Sequence, residues 1–200
     1  MPRKNSKLKY TIEIFSILKK YGLSINMDDI AKELRLTKKT LYNNYENKDD
    51  MLNEVMTYFF KTVEEKILLV FKNSDNAIDC LFKSSAIVTQ EISLLGKVLI
   101  RDISEYKGYS KFFNHTDRTS FYSKLIRQNL EQGIQEKMYR DDIDLHYSTL
   151  FFTSAIEKFY KWEGRFVYFE DSVNFQKELA KYHLYSITNA KGRKILEAYI

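Results

Sequence analysis

The sequence predicts an all-α fold of about nine helices: three short N-terminal ones, then a larger helical body. Three observations carry this. The 200 residues include only 6 Gly and 1 Pro. A sandwich or barrel needs turn residues about every 8–12 positions, and this composition cannot supply them. Apolar residues recur at helical spacing along most of the chain. Side chains suited to helix N-caps, Asn26, Thr37 and Asn47, precede three of these stripes.

The first helix is expected from about Lys7 to Tyr21, with Leu8, Ile12, Phe15 and Leu18 as its stripe and Gly22 as its stop. Asn26 then caps a short helix whose Asp28 and Asp29 complement the positive end of the helix dipole. Met27, Ile30, Ala31 and Leu34 line one face of it. Arg35-Leu36 form a brief break. Thr37 caps a two-turn helix from Lys38 to Tyr45, with Leu41 and Tyr45 facing inward and Lys38, Lys39, Tyr42 and Asn43 outward. Asn47 and Asp50 are spaced as a capping box for a long helix reaching about Lys72. Further helices are expected near 75–94, 97–106, 109–138, 143–163 and 172–189, with Asp75, Asp142 and Ser172 as caps and Gly164 as a break. This body holds 13 of the 14 Phe, 11 of the 15 Tyr and Trp162. Such a surplus builds core and is also suited to an apolar cavity or an interface.

Charge divides the chain in two. Residues 1–48 hold 11 Lys and Arg against 5 Asp and Glu, whereas residues 49–200 hold 21 against 22. The net charge of +5 therefore belongs to the first quarter, as in a small module that faces a polyanion. A solvated basic surface would give the same count, so the pattern of helices has to decide. Two short helices joined by a tight turn form a helix-turn-helix. Its second helix must be short and exposed to enter the major groove, with hydroxyls and cations at its start for phosphates. Thr37-Lys38-Lys39-Thr40 provides these, and Tyr42 and Asn43 follow one turn on, where Asn suits adenine. The chain is thus read as a DNA-binding segment, 1–48, and a helical body, 49–200.

These residues resemble the N-terminal signature of TetR/AcrR-type transcriptional regulators. The resemblance runs through Met27-Asp28-Asp29-Ile30-Ala31-Lys32-Glu33-Leu34, Thr37-Lys38-Lys39-Thr40-Leu41-Tyr42, Tyr45 and Asn47-Lys48-Asp49-Asp50-Met51-Leu52. It extends upstream into Ile14-Phe15-Ile17-Leu18-Lys19-Lys20-Tyr21-Gly22 and covers about residues 8–55. A smaller echo at Gly133 and Tyr139-Arg140-Asp141-Asp142-Ile143-Asp144 resembles the segment leading into that family's dimerisation helices. The resemblance implies a homodimer on a palindromic double-stranded operator, a small apolar, aromatic or cationic effector in the body, and a repressor released when the effector binds. By positional match it implies DNA contacts from Asn26, Thr37, Lys38, Lys39, Thr40, Tyr42, Asn43 and Lys48. The last two long helices would form the dimer interface, with Leu145, Phe152, Ile156, Phe159, Phe175, Leu179 and Tyr182 as its apolar residues. The effector-binding residues are not readable. The departures are Arg35 where a Gly or small residue is usual in the turn, Lys39 for a small residue, Asn43 and Asn44 for His and Tyr, and Tyr45 for Phe. A positive φ at Arg35 would cost strain.

Other chemistries find no support. No Gly-rich phosphate loop, Ser nucleophile elbow or HExxH is present, so no cofactor, catalytic or metal site is expected. His115, His146 and His183 are far apart, and the single Cys80 reads as a small buried hydrophobe. No 18-residue apolar run occurs, and the basic start leads into an amphipathic helix, so a cytoplasmic protein without a membrane span is expected. Two rival readings stay open: a regulator with no effector, and a helical small-molecule carrier or enzyme with a vestigial DNA-binding segment. Specific operator binding separates the second from the main reading, and a cavity in the body separates the first.

Overall fold

The computed structural model describes residues 2–105, 116–160 and 169–199. Among them are nine helices: α1 (Pro2–Tyr21), α2 (Met27–Glu33), α3 (Lys38–Tyr42), α4 (Lys48–Asn73), α5 (Ala77–Glu105), α6 (Thr116–Gln135), α7 (Leu145–Tyr160), α8 (Phe169–Ile187) and α9 (Ala190–Leu196). The only β-type pairing among them is an isolated bridge between Tyr139 and Thr188. No helix among the described residues is long and apolar enough to cross a membrane.

The three predicted caps form. The side-chain oxygens of Asn26, Thr37 and Asn47 accept from the N–H groups of Asp29, Thr40 and Asp50 at 2.8, 3.1 and 2.9 Å. The capping box at Asn47 is a variant, because the Asp50 carboxylate accepts from Glu46 N instead of from the cap residue's own N–H. Further along, the expected caps shift by one or two residues. Asn76 caps α5 instead of Asp75, Asp144 accepts from Tyr147 N instead of Asp142, and Ser172 falls inside α8.

Other expectations are corrected too. The buried face of α1 is Thr11, Ile14 and Leu18, while Leu8 and Ile12 are exposed. Packing of α1 against α4 and α5 selects this stripe, which Thr11 joins because its hydroxyl meets that of Tyr45 at 2.9 Å. The break expected between the helices at 75–94 and 97–106, by contrast, is present: two helical stretches within α5 meet at Gly96, whose φ of 79° is non-helical. A final short helix, α9, was hidden by Gly192. A Cβ there would lie 2.1 Å from the Met138 carbonyl oxygen, so glycine is needed for packing and does not end the helix. Gly164, Trp162 and His115 lie outside the described residues.

Two apolar clusters build the core. The first joins α1, α2 and Leu41 to the whole inner face of α4 and to Leu95, Leu99 and Ile103 of α5. Packing therefore runs unbroken across residue 48. The second, around Ile78, Leu130, Tyr139, Phe152 and Leu184, fills the far end of the body. There the Tyr139 ring lies on α6 at Gly133, where any Cβ would come within 2.1 Å of it. Its hydroxyl donates to Asn129 Oδ1 at 2.9 Å, and Asn129 donates to the Ala77 carbonyl at 2.8 Å. A buried phenol needs such a partner. This is the physical content of the Gly133–Tyr139 echo. Cys80 is buried, and that burial pushes its thiol up to about 11, so it stays protonated.

Arg35 and Lys137 are the only non-glycine residues described with positive φ, both at 54°. Each follows a helix and closes the same motif. Arg35 N and Leu36 N donate to the Lys32 and Ala31 carbonyls, and Lys137 N and Met138 N donate to the Ile134 and Gly133 carbonyls. These are Schellman stops with a long basic residue where glycine is usual. Lys137→Gly should therefore stabilise the chain by about 1 kcal/mol through removal of Cβ strain. Urea unfolding checks this, and a loss of stability would contradict it.

His183 stacks on Phe152 with ring centroids 4.1 Å apart and 16° between planes. Burial lowers its pKa to about 4. The unfolded chain takes up a proton below about 6.5, while the folded chain resists until about 4. Stability from this residue is thus complete above the unfolded value and lost as pH falls through that window. It should amount to ~2 kcal/mol between pH 7 and pH 5. His183→Gln should flatten the pH dependence of urea stability over that interval, and an unchanged profile would refute the assignment.

Candidate functional site

The α2–turn–α3 unit is held from several sides. Ile30, Ala31 and Leu41 are buried in the first cluster. The Schellman stop at Arg35 fixes the turn, and the Thr37 hydroxyl meets that of Thr40 at 2.8 Å. Tyr45, just beyond α3, is fully buried and ties α3 to α1 through Thr11. The substitution of Tyr for Phe thus adds a satisfied hydrogen bond to the core.

The eight sequence-predicted DNA residues fall into two groups. Five are engaged within the protein. Asn26 spends both ends of its amide on Asp29, at 2.8 and 2.7 Å. Thr37 and Thr40 pair with each other. Lys38 pairs with Asp28 at 2.5 Å, both side chains being largely exposed. Such a surface pair is weak, so a phosphate competes for Lys38 at little cost. Lys48 is half-buried and donates to the Leu23 carbonyl, and desolvation pulls its ammonium pKa down. Lys39, Tyr42 and Asn43 make up the second group. Their side chains are exposed, Lys39 and Tyr42 on α3 and Asn43 at its C-cap, and form no hydrogen bond or ion pair among the described residues.

A joint that the sequence does not advertise connects this unit to the body. Gly22 ends α1 at φ 74°, and a Cβ there would sit 2.1 Å from Asp102 Oδ2. The same Oδ2 accepts from Leu23 N at 2.8 Å. One peptide-bearing residue, Leu23, is therefore gripped by α5 through its N–H and by α4 through its carbonyl. Gly22 was readable as a helix stop, but nothing in the sequence pairs it with a carboxylate eighty residues away.

The body contains a small apolar cavity of about 60 Å³. Its walls include Ile67 and Phe71 of α4, Leu81, Ser84 and Val88 of α5, Leu125 and Ile126 of α6, and Phe152 and Ile156 of α7. A larger hollow of about 1340 Å³ lies between α1, α3 and α4, but it is an open groove lined by Lys7, Thr40, Asn43 and Glu54 among others. Small-molecule sites are concave and mostly apolar, which favours the cavity in the body.

The seven apolar residues expected at a dimer interface do not share a surface. Phe152 is buried at 4% exposure, and Leu145, Ile156 and Leu179 pack against the second cluster. Phe175 is half-buried, and the side chain of Phe159 lies outside the described ones. Of the six whose side chains are described, Tyr182 alone stands out, at 66% exposure. The exposed apolar face of α7 is instead Tyr147, Leu150 and Phe151, at 68, 51 and 70%. Both stripes have helical spacing, and packing on the core claimed the one the sequence reading assigned to a partner.

No protein-family model matches the chain. A TetR-family transcriptional regulator from Pectobacterium atrosepticum superposes with a TM-score of 0.69 over 92% of this chain and 95% of its own, at 11% identity. The fold is that of the TetR-family regulators. AibR, solved with isovaleryl coenzyme A and operator DNA, shares this fold with a TM-score of 0.54 at 17% identity, over 86% of this chain and 96% of its own. In sequence, YvaF, an uncharacterised HTH-type transcriptional regulator of Bacillus subtilis, is 26% identical over 95 residues. That match covers 47% of this chain and half of the length of YvaF. In this TetR-type fold α2 and α3 are the helix-turn-helix.

On this geometry Lys39→Ala should weaken binding to any DNA duplex and reduce the slope of log K against log[salt] by about 0.9, the loss of one phosphate contact. Lys48→Met should leave the slope unchanged while lowering thermal stability, because its ammonium holds Leu23. Filter binding across a salt series separates the two, and a reduced slope for Lys48→Met would overturn its assignment as a positioning residue.

Proposed function

We propose that the chain is a dimeric, sequence-specific DNA-binding transcriptional regulator, a cytoplasmic repressor released from a palindromic operator by a small effector. The observation that carries this is the capped α3, which with its C-cap Asn43 presents the Lys39, Tyr42 and Asn43 side chains free of hydrogen bonds and ion pairs within the protein. Phosphates are taken by Lys39 and by Lys38 after it leaves Asp28, with Thr37 at the start of the helix. Bases are read by Tyr42 and Asn43. Asn26, Thr40 and Lys48 act by holding the unit in place. No catalytic role is assigned to any residue. AibR, with its operator and acyl-coenzyme A ligand, supports the pairing of DNA and effector on this fold.

Residues 1–48 serve as the DNA-binding segment and 49–200 as the effector-binding and dimerisation body, although they share a core. Release follows from the joint at Leu23. The cavity wall at Ile67 and the Leu23 contact at Lys48 lie on one helix, about 28 Å apart at 1.5 Å per residue. Ser84 and Asp102 lie similarly on α5, with the Gly96 kink between them. A ligand that spreads α4 from α5 pulls the two bonds on Leu23 in different directions. It weakens DNA binding in proportion to its preference for the spread state.

Selection from a random duplex pool with the full chain tests the reading. A two-fold symmetric consensus with half-sites one helical turn apart is expected, and no enrichment over random sequence would refute it. The dimer is assigned to Tyr147, Leu150, Phe151 and Tyr182. Phe151→Glu should therefore convert a dimer to a monomer by sedimentation and lower operator affinity at least 100-fold. A wild-type chain that is monomeric at micromolar concentration would sink the assignment.

A further inference from the structure

The helix-turn-helix carries an arginine that its own packing does not explain. Arg35 closes α2 at φ 54°, a left-handed conformation that glycine adopts freely and a residue with a Cβ resists. Its side chain is exposed and forms no hydrogen bond or ion pair among the described residues. The other arginines with described side chains all have partners. Arg101 pairs with Asp102, Arg127 with Glu131 and Arg140 with Asp142, and Arg193 holds the Tyr185 carbonyl. Acids stand close to Arg35 in sequence, but they are engaged elsewhere. Asp28 holds Lys38 at 2.5 Å, Asp29 holds Lys32 at 2.9 Å, and Glu33 accepts from the Tyr21 hydroxyl at 3.1 Å. An exposed guanidinium is thus kept in a strained position with no internal anion. Backbone strain of this kind concentrates where function needs a particular side chain.

Lys137 has the same φ in the same motif, and a cation after a helix gains from the helix dipole in either place. Location separates the two. Arg35 lies two residues before Thr37, within about 7 Å of it along the chain, and next to the exposed Lys38 and Lys39. A guanidinium there offers two parallel N–H donors, a fork that fits phosphate oxygens. We propose that Arg35 grips a phosphate of the operator backbone, and that the strained turn is kept for this contact. The proposal rests on the DNA-binding reading above and adds to it a contact outside α3. Such a contact is indifferent to base sequence. It sets the strength of binding and its salt dependence, and leaves the consensus unchanged.

The test is filter binding of the full chain to a mixed-sequence DNA duplex across a salt series, beside urea unfolding of the same variants. Arg35→Gly should bind about five-fold more weakly at physiological salt and lower the slope of log K against log[salt] by about 0.9. The same substitution should raise the urea midpoint, because glycine removes the strain. Opposite changes in stability and binding are what a strained contact residue produces. Arg35→Gln, which keeps the Cβ and loses the charge, should lose the same slope with an unchanged midpoint. Arg35→Lys should keep the slope and bind about two-fold more weakly, since an ammonium lacks the fork. Lys137→Gly is the matched control, with a raised midpoint and unaltered DNA binding. An unchanged slope in Arg35→Gly and Arg35→Gln overturns the proposal. So does an equal loss of slope in Lys137→Gly, which would reduce the effect to net charge. No binding of the duplex by the unmodified chain defeats the DNA-binding reading and the Arg35 contact with it, whereas tight binding that neither Arg35 variant alters defeats the contact alone.

Discussion

The grip on Leu23 is the constraint on which the rest of the structure depends. A peptide group at the end of a helix has an N–H and a carbonyl that need partners when buried. Here the N–H goes to Asp102 and the carbonyl to Lys48, so the end of α1 is fixed by two different helices at once. The Asp102 bond depends on Gly22, whose φ of 74° turns the chain and whose bare Cα lets the carboxylate approach. The charges are part of the arrangement. Asp102 is flanked by Arg101 at 3.0 Å, and the half-buried Lys48 pays part of its desolvation through the carbonyl it holds. The helix-turn-helix is thus oriented by the body as well as by its own core.

The N-terminal quarter was legible because its determinants are local. A cap, its N–H acceptor three residues on and an apolar i, i+4 pair all sit within one short window, as at Asn26, Thr37 and Leu41–Tyr45. The positive φ at Arg35 came instead from the family resemblance, which places a Gly or small residue at that position of the turn. Elsewhere the determinants are distant. Thr11 is buried because Tyr45 lies opposite, Gly192 because Met138 crosses it, and Gly22 because Asp102 reaches it. No window on the sequence contains both members of such a pair.

Helical periodicity has a further blind spot, visible on α7. Leu145, Phe152 and Ile156 form one stripe, and Tyr147, Leu150 and Phe151 another. When a helix is apolar on two faces, its spacing cannot say which face meets the protein's own core. Burial decides it: the first stripe closes on the second cluster, and the second stands in the open. Large exposed apolar patches of this kind mark sites of association. The same ambiguity hid the cavity, whose walls come from five helices that each look like ordinary core formers.

Energetic scale links cavity and joint. A ten-fold change in DNA affinity requires about 1.4 kcal/mol of differential binding between the two states. A net hydrogen bond contributes about 1 kcal/mol, and somewhat more where one partner is charged. The two bonds on Leu23 each involve a charged group, so straining either one supplies most of a ten-fold change. If an effector occupies the cavity, as proposed above, it therefore does not have to rebuild the helix-turn-helix. On the proposed reading it has only to displace α4 or α5 enough to lengthen one bond, and the unbroken 26-residue α4 is the element suited to carry that displacement from the cavity wall to the joint. The Gly96 kink lies on the α5 path, whereas α4 has no such break. Under the proposed release mechanism, α4 is therefore the stiffer lever of the two, and its end of the joint is the Lys48 bond.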